Sequence, residues 1–137
     1  EVRRISAWFD DKFHQEVGRL ITVEKIDRRF MGAEDCGGCR DMDVVRVGLH
    51  NLNLHLEYLT YLLQSRDWLA GGEMSLADLT AAAHLSCLDY TGDVPWKLWP
   101  EMRDWYARLK SRPSFRPLLA DHVAGMRPPP YYADPDF

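Results

Sequence analysis

The chain has 137 residues, enough for one domain, and 46% of them are apolar, enough for one sizeable core. Its 17 basic and 21 acidic residues give a net charge of −4, which argues against a general nucleic-acid binder. No apolar run approaches the ~18 residues of a membrane span. We expect a cytoplasmic protein, because the chain opens without a secretory signal and its three cysteines suit a reducing compartment.

Apolar residues recur every three or four positions at the start of the chain and predict a helix over about residues 1–30. The stripe consists of Val2, Ile5, Phe9, Phe13, Val17 and Leu20. The stripe begins at the second residue, and no capping residue precedes it. We therefore expect the helix to belong to a longer protein whose front part is absent. The β-branched run at 20–23 allows a bend.

A glycine-rich break at 32–38 precedes a second long helix, predicted over about residues 41–66. Its apolar seam alternates spacings of three and four residues: Met42, Val45, Leu49, Leu52, Leu56, Leu59 and Leu63. Such a seam is typical of a helix that packs along another long helix. Leu54, Tyr58 and Tyr61 lie off the seam, so we expect a second face of this helix to be covered too.

A third helix, over about residues 76–89, begins at a strong start signal. Ser75 and Asp78 occupy the N-cap and N3 positions of a reciprocal capping box. Met74 and Leu79 occupy the two positions of a hydrophobic staple. The residues that follow are apolar nearly all round the helix, which predicts burial at the centre of the domain.

Two further helices are predicted, one from about Pro100 to the residue before Pro113 and a short one over about residues 114–121. With no strand pattern and no internal repeat, we expect an all-α domain of five helices around the 76–89 segment, spanning residues 1–124. Residues 125–137 are rich in proline and are predicted to form an extended tail.

Two stretches, in this order, resemble landmarks of the C-terminal domain of the glutathione transferase superfamily. Residues 68–79 hold Trp-Leu-Ala-Gly and then Ser-Leu-Ala-Asp-Leu, and residues 105–115 hold Trp-Tyr-Ala-Arg and then Arg-Pro-Ser-Phe. The resemblance implies a homodimer whose glutathione and catalytic residue belong to an N-terminal thioredoxin-like domain outside this chain. We therefore expect no catalytic residue, metal or cofactor here, and glutathione only in the full-length protein.

Residues 1–10, 66–71, 88–96 and 110–121, with the tail from 128, carry a narrower resemblance. They are similar to the FtsZ-localised proteins, glutathione-transferase-like division factors of alphaproteobacteria. This resemblance implies a non-catalytic protein at the division site that binds the tubulin-like protein FtsZ. The alternative is the substrate-site and dimerisation domain of an active glutathione S-transferase that conjugates glutathione to electrophiles.

In this superfamily the helical domain contributes a wall of the hydrophobic substrate site. The resemblance implies that the wall begins at four residues of the first helix: Trp8, Phe9, Lys12 and Phe13. Ordinary core packing with one solvated lysine is the alternative interpretation.

Cys36 and Cys39, followed by His50 and His55, have a spacing close to that of a zinc finger. The two histidines fall about 140° apart around a helix, so they diverge and we expect no metal. A redox pair usually follows a strand, which the sequence lacks, so a loop is the favoured interpretation. His84, on the third helix, is expected to be a hydrogen-bonded core histidine.

Two C-terminal features are candidates for partner binding. A basic run is interpreted as solvated cations near helix ends, with an acidic partner as the alternative: Arg103, Arg108, Lys110, Arg112 and Arg116. The tail offers aromatic and acidic groups on a stiff backbone: Tyr131, Tyr132, Asp134, Asp136 and Phe137. Such a segment suits a recognition peptide, and the alternative is a strap that covers apolar surface on its own domain.

Overall fold

The structure is a computed structural model that describes residues 1–32 and 40–136. Within these residues the fold is all-α, as predicted, and its only β pairings are two isolated bridges. No helix in the described part of the chain is long and apolar enough to span a bilayer. The predicted loop at Cys36 and Cys39 lies outside the described residues.

The predicted first helix is one helical run made of successive segments. These are α1 (Val2–Ala7), a π-helical segment (Trp8–Gly18) and α2 (Arg19–Lys25), followed by a 3₁₀ turn (Asp27–Arg29). Residues 20–23, where the β-branched run allows a bend, lie within the α-helical segment α2.

The buried side of this run explains its unusual winding. Its fully buried residues are spaced by four throughout: Ile5, Phe9, Phe13, Val17 and Ile21. A uniform spacing of four, instead of alternating three and four, suits a helix wound wider than 3.6 residues per turn. The burial of Ile21 instead of the predicted Leu20 follows from the same spacing.

Helix α3 (Met42–Leu63) begins at Asp41, whose carboxylate accepts from the amides of Asp43 and Val44 at 3.0 and 3.3 Å. The predicted seam is buried along most of its length, at Val45, Leu52, Leu56 and Leu59. The expected second covered face is present only in part, because Tyr58 is half-buried against Trp8 whereas Leu54 and Tyr61 are 53% and 67% exposed.

Gly48 allows α2 and α3 to approach closely. A Cβ at this position would lie 2.9 Å from Ile21 Cγ1 and 3.2 Å from Leu20 Cβ. A side chain here would push the two helices apart, so the glycine is needed for their spacing.

Helix α4 (Leu76–Tyr90) packs against α1, the π-helical segment, α2 and α5. The prediction that it is buried all round is wrong for one side, where Leu76 and Leu79 are 63% and 40% exposed. Ala83 and Cys87 continue the same exposed side. Helix α4 lies at the centre of the domain, but one of its sides is exposed. Its apolar composition therefore predicts more burial than the structure shows.

The remaining helices follow the predicted order. They are α5 (Pro100–Lys110), a 3₁₀ turn (Pro113–Phe115) and a one-turn α6 (Arg116–Leu119). The tail is extended at Pro129, but residues Pro130–Ala133 form a further 3₁₀ turn with proline at its first position. Proline fixes its own φ at a value that a 3₁₀ turn also uses, so it can start such a turn while preventing a longer helix.

Candidate functional sites

The start of α4 is organised by the predicted capping box. The Ser75 amide donates to Asp78 Oδ2 at 2.9 Å, and the reciprocal bond to the Ser75 side chain is also present. Of the two residues predicted for the hydrophobic staple, Met74 packs against the core, whereas Leu79 is 40% exposed.

Asp78 makes two further contacts that the sequence analysis missed. Its Oδ1 accepts from the Leu69 amide at 3.0 Å and from Trp105 Nε1 at 2.8 Å, and the side chain is fully buried. One carboxylate therefore joins the start of α4 to the turn before it and to α5. The landmark residue Trp105 and the capping box are contact partners, so their joint presence was the available signal.

The four predicted wall residues separate into two pairs. Phe9 and Phe13 are fully buried in the core, so the core-packing interpretation applies to them. Trp8 is half-buried and Lys12 exposed, and both line an open groove of about 520 Å³. We call this the Trp8 groove; its lining residues are Trp8, Lys12, Glu16, Asn51, Leu54, His55 and Tyr58.

A hydrogen-bonded chain crosses the Trp8 groove between the π-helical segment and α3. Trp8 Nε1 donates to His55 Nδ1 at 2.9 Å, and His55 Nε2 lies 2.8 Å from Glu16 Oε2. Glu16 Oε1 pairs with Lys12 Nζ at 2.6 Å. The Trp8 ring also stacks on Tyr58, with centroids 4.8 Å apart and 13° between the planes.

The Trp8 indole determines the tautomer of His55. Because the indole can only donate, Nδ1 must be the unprotonated acceptor, and Nε2 carries the hydrogen that is donated to Glu16. Burial lowers the pKa of His55, although Glu16 opposes this shift. The hydrogen bond from Lys12, with that from His55, lowers the pKa of Glu16. The groove thus holds a neutral imidazole beside an ionised carboxylate.

The candidate histidines lie in different surroundings. His50 is exposed, whereas both ring nitrogens of His55 are hydrogen-bonded within the fold. Within residues 1–32 and 40–136, no three His, Cys, Asp or Glu side chains are grouped to hold a metal ion. His84 is hydrogen-bonded as predicted, with Nε2 2.9 Å from Asp10 Oδ1, but it lies at the edge of the core with 23% of its side chain exposed.

The basic run does not form one solvated surface. Arg108 lies over the Trp68 ring at 4.2 Å from the centroid and donates to the Asp67 carbonyl at 2.5 Å. Lys110 is fully buried, which contradicts its predicted solvation. Residue 110 lies on the inner side of α5, next to Leu109, so its ammonium group needs partners within the fold.

Those partners are Asp89 and the tail. Lys110 Nζ donates to the Tyr131 carbonyl and lies 4.0 Å from Asp89 Oδ2, while Trp96 Nε1 donates to Asp89 Oδ1 at 2.8 Å. Burial raises the pKa of Asp89 and lowers that of Lys110, so each group is pushed towards its neutral form.

A tyrosine of α4 attaches the beginning of the tail. Tyr90 Oη donates to the Met126 carbonyl at 2.6 Å and accepts from the Val123 amide at 2.8 Å. The Tyr132 ring packs edge-on against Tyr90 at 5.0 Å. The tail is thus bound to its own domain on both sides of its prolines.

The predicted anchors of the tail differ in accessibility. Tyr132 is 3% exposed and donates to the Leu118 carbonyl at 3.2 Å, so it is unavailable to a partner in this structure. Tyr131 is half-buried, whereas Asp134 and Asp136 are exposed. Phe137 lies outside the described residues. The tail has the contacts of a strap and presents its acidic end to solvent.

The helical order, the capping box and the tryptophan contact define a helical domain of the glutathione-transferase type. The family model described as "Glutathione S-transferase, C-terminal domain" matches residues 40–113. The chain belongs to this family.

The proteins that this chain matches bear two kinds of name. FtsZ-localized protein A of Caulobacter vibrioides is 50% identical over all 137 residues, which cover 58% of that protein. The solved structure of FzlA from C. crescentus has a TM-score of 0.93 at 50% identity, with 100% of this chain and 59% of that one covered.

Two solved glutathione S-transferases are about as similar. The Sinorhizobium meliloti structure has a TM-score of 0.95 at 45% identity, and the Rhodospirillum rubrum structure 0.92 at 47%. Each match covers 99% of this chain and 59% of the other. The chain therefore spans less than two thirds of the proteins it matches.

Proposed function

We propose that this chain is the helical domain of a glutathione-transferase-like protein that acts in bacterial cell division by binding FtsZ, in a non-catalytic role. The observation that carries the proposal is the 50% identity with FtsZ-localized protein A over the whole chain, tail included. The protein would then work in the cytoplasm at the division site.

The form of the tail supports a role in binding. Asp134 and Asp136 are exposed at the end of a segment that Tyr132 and Lys110 hold on the domain. Acidic groups on a segment that is already ordered lose little conformational entropy when they bind a partner. We infer that the acidic end, and not the buried Tyr132, contacts FtsZ.

A homodimer is supported by the uncovered side of α3. Val47, Leu54 and Tyr61 are each more than half exposed and are spaced by seven residues, so they form one stripe. A seven-residue apolar repeat is typical of helices that associate along their length. We propose that this stripe packs against a second copy.

The exposed side of α4 supports a further domain in the full-length protein. Leu76, Leu79 and Cys87 leave apolar surface open on a central helix. A thioredoxin-like domain packed here would cover it and would provide any glutathione site. Whether glutathione is bound or conjugated is then a property of that domain.

The test uses the full-length protein in two parallel assays. Co-sedimentation with polymerised FtsZ measures partner binding, and turnover of glutathione with 1-chloro-2,4-dinitrobenzene measures conjugation. We expect co-sedimentation without turnover. Turnover without co-sedimentation would favour the active-transferase alternative and overturn the proposal.

Matched charge reversals locate the binding surface. The double variant Asp134→Lys and Asp136→Lys should weaken co-sedimentation about tenfold or more. The control is Asp43→Lys, whose side chain is 87% exposed in the first turn of α3. Equal binding by both variants would exclude the acidic end as the contact surface.

A separate variant tests the dimer. Leu54→Glu should convert the full-length protein to a monomer in sedimentation equilibrium, because it puts a charge in an apolar interface. Phe30→Glu, which alters another exposed apolar residue off α3, is the control. A Leu54→Glu protein that remains dimeric would exclude this stripe as the interface.

A further inference from the structure

The hydrogen-bonded chain of the Trp8 groove has a histidine at its centre, and histidine is the side chain that changes its charge near neutral pH. His55 accepts from Trp8 Nε1 at 2.9 Å and contacts Glu16 Oε2 at 2.8 Å, so both nitrogens of its ring are engaged. Its side chain is only 4% exposed, so water cannot readily replace either partner. A change in the charge of His55 therefore acts directly on these two contacts.

Protonation of His55 is incompatible with one of these contacts and favours the other. A protonated imidazole has two donors and no acceptor, whichever way the ring is turned. The Trp8 indole can only donate, so two N–H groups would face each other across this contact. Glu16 is an acceptor, and its contact with His55 becomes an ion pair when the ring is charged. The imidazolium therefore keeps Glu16 and loses Trp8.

The groups packed around His55 set the balance between its two forms. On the π-helical segment, Glu16 favours the protonated form and Lys12 opposes it. On α4, His84 faces the same Phe13 ring as His55, with ring centroids 6.0 and 5.2 Å from that of Phe13. Among the described residues that line the groove, none comes from α2, α4 or α5. Burial is the largest influence and lowers the pKa of His55, so the ring takes up its proton below the ordinary value of 6.5.

The Trp8 ring forms one wall of the groove and is able to leave its place. It is half-buried and stacks on Tyr58, whose hydroxyl accepts from Arg4 Nη2 of α1 at 3.2 Å. Once the bond to His55 is lost, an indole at the surface regains an acceptor by turning its N–H to water. We propose that proton uptake by His55 releases the Trp8 indole from the imidazole and from the Tyr58 ring, so that acid opens the groove. This proton switch is independent of the proposed binding to FtsZ.

The test follows the Trp8 indole and the His55 ring through the same acid titration of the full-length protein. In NMR spectra, the indole N–H signal of Trp8, assigned by its loss in Trp8→Phe, should shift with a midpoint below pH 6.5. The His55 ring signals should titrate with the same midpoint. Acrylamide quenching of Trp8 fluorescence, taken as the difference from Trp8→Phe, should increase about twofold or more over the same range.

A matched pair of variants separates this switch from general acid effects. Glutamine stays neutral in acid and has both an acceptor and a donor, so His55→Gln should abolish the Trp8 transition. His50→Gln, at an exposed position of the same helix, is the control and should leave the transition unchanged. Three results would each overturn the proposal: a Trp8 signal that stays constant while His55 titrates, a transition that persists in His55→Gln, or a His55 ring that remains neutral until the protein unfolds.

Discussion

The two ends of α4 each bury a carboxylate completely, but they stabilise it in different ways. At the N-terminal end, Asp78 accepts from the amides of Ser75 and Leu69 and from the Trp105 indole. At the C-terminal end, Asp89 accepts from the Trp96 indole and has Lys110 at 4.0 Å.

The helix itself accounts for part of this difference. The N-terminal end of a helix carries partial positive charge and free amides, which favour a carboxylate, whereas the C-terminal end carries the opposite charge. Asp89 therefore needs a cation, and that cation, once buried, needs the Tyr131 carbonyl. The N-terminal site is complete within the domain, while the C-terminal site depends on the tail.

The largest expected effect is at the N-terminal end. Asp78→Ala should lower the free energy of unfolding by about 3–5 kcal/mol, because it leaves two amides and an indole without an acceptor in the core. Urea unfolding measures the change, with the surface variant Asp43→Ala as control. A loss below about 1 kcal/mol would mean that the three donors find other partners.

The second prediction concerns removal of the tail. Deletion of residues 127–137 should cost about 2–3 kcal/mol, because Tyr132 leaves the core and Lys110 loses its carbonyl acceptor. At this chain length the melting temperature should fall by roughly 6–15 °C.

A shorter deletion provides the control for the tail. Removing residues 134–137 keeps both Tyr132 and the Lys110 contact, so the melting temperature should stay within about 2 °C of wild type. If the long deletion were equally harmless, the tail would be a recognition peptide and not a strap.

The third prediction tests the pairing at the C-terminal end. Lys110→Met should cost about 1–3 kcal/mol, because Asp89 loses its cation. The double variant with Asp89→Asn should recover part of this loss, with a coupling energy of about 0.5–3 kcal/mol. Strict additivity of the two substitutions would show that the groups do not interact.

The pH dependence of the Lys110→Met variant has a definite sign. The pKa of Asp89 is raised in the folded state, so its ionisation costs stability as the pH rises above the unfolded value of about 3.9. Without Lys110 this cost increases, so the deficit of the variant should be larger at pH 7 than at pH 4. A deficit independent of pH would contradict this account.

The smallest expected effect is at the Trp8 groove, which shares no residue with either of these carboxylate sites. The pKa of His55 is lowered in the folded state, so its contribution to stability is complete above the unfolded value of about 6.5 and is lost as the pH falls below it. Trp8→Phe removes the donor that faces Nδ1 and should raise the pKa of His55 in an NMR titration. Tyr58→Phe leaves that donor in place and should not change the titration.

Local sequence signals determined much of the fold. Helical periodicity predicted α3, α4 and α5 closely, because an amphipathic stripe depends only on residues a few positions apart. The capping box was equally visible, since Ser75 and Asp78 are three residues apart and their bonds form within one turn. The spacing of four residues from Ile5 to Val17 suits the wider winding of the first helix, but the same spacing also fits an ordinary α-helical stripe.

Only the tertiary structure decided which apolar residues are covered and which polar groups meet. The sequence could not reveal that Leu54 and Leu79 remain exposed. An apolar helix face has the same residues whether or not another element covers it. Nor could it pair Trp8 with His55, 47 residues apart, or Lys110 with Tyr131, 21 residues apart. These contacts depend on how the helices pack, and burial then makes each unpaired polar group costly enough to require a partner.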